Sequence, residues 1–240
     1  MEPTRVLGVV RALRHPALLL SGLPRHSASR FSILAWDPVR VVVFAAGRTR
    51  VDCFSDTGGI TELERITDPF RLLRAIMSGD QVRRLPGLPF AGGAIGYLGY
   101  GMRRYVESLP TGPPDPIGAP DLWFGIYDAA IVFDHAERRI ALVAGGSAPG
   151  VSGPRSARAQ DRLHDFRARL EQARDTRGGP PARSAAGSAG EAVAITPRAG
   201  YRRSIERALE YIAAGDIYQV NLSHRIRCPY EGDPVDLFLD

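Results

Sequence analysis

Short apolar runs punctuated by turn residues fill the first half of the chain and predict strands. Ala17 to Ser21 is the first, ended by Gly22-Leu23-Pro24, and Arg30 to Trp36 is the second, closed by Asp37-Pro38. The run Val39 to Ala46 carries little polarity on either face, as a central strand does, and Gly47 turns it into a hairpin with Arg48 to Phe54. Three or four antiparallel strands are therefore expected before residue 55, followed by a loop at Asp56 to Gly59. The period then changes. Asp68-Pro69 supplies an N-cap and a first-position proline, and Phe70, Leu72, Leu73, Ile76 and Met77 follow at helical spacing toward Gly79. Phe90 to Gly101 returns to strand, with glycines that let another backbone or a large side chain approach closely, and Met102 to Glu107 reads as a short helix. Pro110 to Pro120 is an extended, proline-rich loop. Asp121 to Asp134 alternates aromatic and aliphatic residues and, through a turn at Ala136-Glu137, forms a second hairpin with Arg139 to Ala144.

From Gly145 the pattern dissolves into Gly, Ser, Ala, Pro and Arg, which reads as a mobile linker over 145–194 with one amphipathic helix between Asp161 and Arg174, marked by Leu163, Phe166 and Leu170. Order returns at Thr196-Pro197, an N-cap and first-position proline. The helix that follows would bury Tyr201, Ile205, Ala208 or Leu209, and Ile212, and Gly215 would end it as a left-handed cap. Gly215 to Ser223 then leads into a strand. Tyr218, Val220, Leu222, His224, Ile226 and Cys228 share one face, and the neutral hydrogen-bonders Gln219, Asn221 and Ser223 share the other. Asp233-Pro234 opens a last helix with Leu237 and Phe238, which the sequence follows for less than two turns and which reads as a chain cut inside a domain. The predicted class is α+β, with antiparallel sheets packed with helices. Its segments are an N-terminal domain over 1–144, the linker over 145–194 and the start of a further domain over 195–240.

Composition narrows the function classes. At 240 residues, 44% apolar and 24% charged, the chain has the makings of a sizeable core. No apolar run approaches the roughly 18 residues of a membrane span, and Met1 to Leu13 lacks the pattern of a secretion signal, which makes the cytoplasm the default. The net charge of +5 raises nucleic-acid binding, but the arginines are spread along the chain, usually near Asp or Glu, without a basic stripe interleaved with aromatics. All 31 basic residues are Arg, so no Schiff base or lysine nucleophile comes from these residues. Cys53 and Cys228 lie far apart with no metal-ligand spacing and read as buried thiols. His135, at a turn, has no partner pattern and reads as a surface histidine.

Three stretches together resemble the chorismate-utilising enzymes: Leu18 to Gly22 with Ser29-Arg30-Phe31, then Leu88 to Tyr97 with Glu107 to Pro110 and Gly125 to Asp128, and lastly Gly215 to Ser223. Within that family, Gln219-Val220-Asn221-Leu222 is more similar to the branch that makes 4-amino-4-deoxychorismate than to anthranilate synthase, where the Asn position is usually apolar. The resemblance implies amination of chorismate with ammonia on the way to p-aminobenzoate and folate, with Mg²⁺ as cofactor and a glutamine amidotransferase subunit as the source of ammonia. The family's metal-binding carboxylates, its general acid/base histidine and its lysine nucleophile match no residue here, so the 240 residues alone are expected to be inactive. The resemblance also implies a tryptophan pocket in the N-terminal domain, at Ser21 and at Ala28-Ser29-Arg30-Phe31. The family usually has Tyr where Ala28 stands, which removes an aromatic wall, so weak or no tryptophan binding is expected. Ser29 and Arg30 serve equally well as strand caps. Gln219, Asn221 and Ser223 read as hydrogen-bonders between layers ahead of a wall of the chorismate site.

Overall fold

The computed structural model describes residues 2–22, 29–55, 58–64, 68–79, 85–108, 117–146, 154–175 and 187–239. Ala28, the turn at Leu23-Pro24, the loop residues Asp56-Thr57, residues 110–116 of the proline-rich loop and the linker stretches 147–153 and 176–186 lie outside them. The chain divides into two compact units, Met1–Pro181 and Ala182–Asp240.

The first unit is built on two antiparallel sheets. One holds β1 (Ala17–Leu19), β2 (Phe31–Ala35), β8 (Ala129–Asp134) and β9 (Arg139–Ala144) in the order β1-β2-β8-β9. The other holds β3 (Arg40–Ala45), β4 (Arg48–Ser55), β5 (Gly58–Glu64), β6 (Gly93–Leu98) and β7 (Leu122–Tyr127) in the order β5-β4-β3-β7-β6. The near-continuous apolar run of β3 is explained by its central place between β4 and β7. Between the sheets, Ala35, Ala130, Val132 and Val143 of the first meet Ile95 and Tyr127 of the second. On the far side of the five-stranded sheet, Leu72 of α2 (Pro69–Gly79) and Met102 of the 3₁₀ turn Tyr100–Tyr105 pack on Val42, Phe44, Leu122 and Ile126. The far side of the four-stranded sheet carries α1 (Pro3–Val10) and α3 (Arg155–Asp175), which pack on each other and over β2, β8 and β9. Antiparallel sheets with helices on their outer faces are the predicted class.

Local chemistry fixes several of these elements. Asp68 Oδ1 accepts from the backbone N–H groups of Phe70 (2.9 Å) and Arg71 (3.2 Å), which starts α2 where the sequence places it. Asp68→Ala should therefore lower stability by about 1 kcal/mol, read from the urea midpoint, whereas an unchanged midpoint would show that the cap contributes nothing. At Gly96 an added Cβ would lie 2.0 Å from the Trp123 carbonyl oxygen, so β6 pairs with β7 at this register only because that side chain is absent.

Four sequence expectations change. Asp121 to Asp134 is not one strand of a hairpin: β7 belongs to the five-stranded sheet and β8 to the four-stranded one, and the chain crosses between them at Asp128. Alternation continues through the crossing because both strands are buried on two sides. The helix in the expected linker is 21 residues long and is part of the first unit, with Phe166 stacked on Trp36 at a centroid distance of 3.6 Å and an interplanar angle of 10°. In addition, α1 was not foreseen, although Val6 and Val10 are fully buried, and β5 begins at Gly58, inside the expected loop.

The second unit contains α4 (Arg198–Ala214), two short ladders pairing β10 (Ser188–Ala189) with β13 (Tyr230–Glu231) and β11 (Val193–Ala194) with β12 (Ile226–Arg227), and α5 (Pro234–Leu239). Gly215, at φ +80°, donates its N–H to the Ile212 carbonyl and ends α4 as a left-handed cap, as predicted. Pro197 is the N-cap and not the first helical residue. Two further expectations fail here. No residue of α4 is buried, and Tyr218 to Arg225 forms no ladder, Tyr218 being 92% exposed. A strand exists only where a neighbouring strand takes its N–H and C=O groups, and among the described residues only Ile226–Arg227 of this stretch has one. Cys228 is likewise exposed and not a buried thiol, its Sγ lying 3.1 Å from the Gly190 carbonyl oxygen.

Candidate functional site

The residues named by the motif Ser29-Arg30-Phe31 sit where β2 begins, beside the end of β8. Phe31 pairs with Asp134 and Ser32 with Phe133, and the His135 N–H donates to the Arg30 carbonyl at 2.8 Å. This register brings three polar groups onto one another. The Ser21 hydroxyl donates to the Phe31 carbonyl at 2.6 Å, and the Ser21 N–H donates to Ser32 Oγ at 3.0 Å. Ser32 is fully buried, and its Oγ lies within hydrogen-bonding distance of His135 Nε2, at 2.8 Å. Ser21, just past β1, is thereby tied to β2 and through Ser32 to the turn after β8.

Arg30 makes a two-pronged pair with Asp134: Nε donates to Oδ1 at 3.1 Å and Nη2 to Oδ2 at 2.9 Å, while the guanidinium also lies over the Phe31 ring at 4.8 Å. Asp134 is buried and accepts a further bond from the Glu137 N–H at 3.2 Å, and Arg139 Nε stands 3.7 Å from Oδ2. The Arg30 hydrogen bonds, joined by the Glu137 amide and the Arg139 charge, hold the Asp134 carboxyl down at about 2. Because its folded pKa lies below the unfolded one, this carboxylate contributes stability that is present above about pH 4 and lost as pH falls through about 2. Arg30→Met should therefore raise the pH at which the fold collapses in an acid titration followed by circular dichroism. An unshifted acid transition would remove Asp134 from the account of acid stability.

Chemically this cluster suits binding and not catalysis. The Ser21 hydroxyl gives its proton to a carbonyl, and among the described residues no base is hydrogen-bonded to it. What the cluster offers is a half-exposed guanidinium, the Phe31 edge and an exposed imidazole, groups suited to a ligand with a carboxylate and an apolar body. Ser21, Arg30 and Phe31 are brought together; Ser29 flanks them, half-buried. Sequence reasoning missed Ser32, Asp134 and His135. Ser32 was detectable as the one polar residue inside β2, but its partner His135 is 103 positions away and visible only through the β2–β8 register. Gln219, Asn221 and Ser223 lie exposed in the second unit. Among the described residues no group of three or more His, Cys, Asp or Glu is placed to hold a metal ion, so the Mg²⁺ implied by the resemblance fits no grouping found here. No helix among them is long and apolar enough to cross a membrane.

The sequence profile of the chorismate binding enzymes matches residues 16–240, and the chain belongs to that family. It is 34% identical over 222 residues to anthranilate synthase component 1 of Thermus thermophilus and 30% identical over 223 residues to aminodeoxychorismate synthase component 1 of Salmonella typhimurium. Each alignment covers 92% of this chain and 44% of the relative, so the chain spans less than half the length of the curated relatives it matches. The crystal structure of anthranilate synthase component I from Streptococcus pneumoniae TIGR4 superposes with a TM-score of 0.70 at 26% identity, over 99% of this chain and 49% of that one. Relatives of both names match at similar identity, which gives the family and not the branch.

Proposed function

We propose that the protein is component I of an aminodeoxychorismate synthase, aminating chorismate to 4-amino-4-deoxychorismate with Mg²⁺ and with ammonia from a glutamine amidotransferase subunit. The observation that carries this reading is Gln219-Val220-Asn221-Leu222, with Asn at the position that is usually apolar in the anthranilate branch. The competing reading, anthranilate formation, has in its favour the 34% identity to the Thermus enzyme. Introducing the gene into strains that require p-aminobenzoate or tryptophan separates them. Growth of the first alone is expected, and growth of the second alone would reverse the assignment. Residues 1–240 contain no Lys, and among the described residues no group of three or more His, Cys, Asp or Glu is placed to hold a metal ion, so turnover by these residues alone is not expected.

The Ser21, Ser29, Arg30 and Phe31 cluster is, in this reading, the amino-acid pocket of the family's N-terminal domain. Arg30 is already committed to Asp134, and Ala28 supplies no aromatic wall. Calorimetric titration with tryptophan is therefore expected to give a Kd no tighter than about 1 mM. A micromolar isotherm would show a working pocket.

A further inference from the structure

The first unit carries a groove of about 1000 Å³ on the outer side of the four-stranded sheet, between the edge strand β9, one face of α3 and the first turn of α1. Its floor is apolar and comes from two elements, Ile140 and Leu142 on β9 and Leu163 and Leu170 on α3. None of these four is fully buried, and Ile140 is 37% exposed. Its rim is charged, with Arg5, Arg167 and Arg174 against the single carboxylate Glu171. The groove-lining residues of α3 recur at three- and four-residue steps from Gln160 to Arg174, a straight stripe about 21 Å long. This stripe flanks the face that holds α3 in the fold, whose buried residues are Phe166 and Ala173.

We propose that this groove docks an acidic amphipathic helix of a partner protein. The length and straightness of the stripe match a helix laid alongside α3, with apolar anchors one turn apart entering the Ile140–Leu142–Leu163–Leu170 floor. The arginine excess on the rim selects acidic flanks and repels basic ones. A small ligand would be enclosed over most of its surface, which an open trough does not do. A single docked helix buries less than a standard interface of about 1,600 Å², so the affinity belongs in the micromolar range. The inference does not rest on the chorismate reading.

The test uses the full 240-residue chain and a fluorescein-labelled peptide of roughly 18 residues, with Leu at positions i, i+4, i+7 and i+11 and Glu on its flanks. Anisotropy should give a Kd of order 10 μM for the acidic peptide and at least about tenfold weaker binding for the same peptide with Lys flanks. The double variant Arg167→Glu, Arg174→Glu should reverse that preference, with unchanged circular dichroism and melting temperature confirming its fold. Leu163→Asn should weaken both peptides. Equal binding of acidic and basic peptides, retention of the preference in the double variant, or undiminished binding of a peptide broken by a central Pro would each overturn the proposal. So would concentration-dependent dimerisation abolished by the same double variant, which would assign the groove to a second copy of the chain.

Discussion

Replacing Phe166 by Ala should destabilise the first unit by about 3–5 kcal/mol, more than any other single truncation on α3. The ring is 1% exposed and stacks on Trp36, which is itself fully buried, while the Trp36 indole Nε1 donates to Asp165 Oδ2 at 3.3 Å from the same helix. Truncation opens a cavity beneath the helix at its largest buried side chain, and leaves the indole face without its partner. For a unit of this size the loss corresponds to a melting temperature about 10 °C lower. It should be accompanied by a changed Trp36 near-ultraviolet signal in a chain whose only other tryptophan is Trp123. A change below about 0.5 kcal/mol, the size of an ordinary surface substitution, would mean that the helix is the loosely attached linker element its surroundings suggest.

The second large effect is expected at Arg162. Its Nε donates to Asp128 Oδ1 at 3.2 Å, and its Nη2 donates to the carbonyls of Trp36 (3.0 Å) and Asp37 (3.1 Å). Those acceptors mark both places where the chain passes between sheets, from β2 to β3 and from β7 to β8. One guanidinium on α3 therefore fastens the two crossings together. Arg162→Leu leaves a buried carboxylate and two carbonyls without their donor, and should cost about 3–5 kcal/mol at neutral pH. The penalty has a defined pH dependence. Burial already raises the Asp128 pKa, against the opposing charge and hydrogen bond of Arg162, and removing Arg162 drives it further up. A carboxyl with a raised folded pKa favours the folded state as pH falls, so the variant should recover part of its stability between neutral and mildly acidic pH. The double variant Arg162→Leu, Asp128→Leu should also recover part of the loss, because the uncompensated charge is gone. A pH-independent penalty would refute the role of Asp128.

These two residues also show where the sequence is legible and where it is not. The period-2 runs place β2, β3, β4, β6 and β9 correctly, and the Asp68-Pro69 and Gly215 signals bracket helices as read, since capping and alternation are local chemistry. Alternation says which residues share a face but not which sheet a strand joins. The switch at Asp128 therefore looked like uninterrupted strand, and its explanation sits 34 positions away in Arg162. The helix α3 looked isolated because it is mostly arginine, alanine and aspartate, with its attachment concentrated in Phe166 and Arg162. At the candidate site the motif led to Ser21, Arg30 and Phe31, but the groups that fix them, Ser32, Asp134 and His135, depend on the β2–β8 register. The stretch from Tyr218 to Cys228 failed in the opposite way. Its alternation is plain, but the ladder partners that would make it a strand are missing among the described residues beyond the short pairing at Ile226–Arg227.

The family assignment makes chorismate the substrate to test. The most direct measurement is mass-spectrometric analysis of what the product of the native gene forms from chorismate, ammonia and Mg²⁺, run beside the purified 240-residue chain. The account predicts 4-amino-4-deoxychorismate from the native protein, with no anthranilate, and no turnover by the 240 residues. Anthranilate as the product, or measurable turnover by the 240-residue chain, would contradict it.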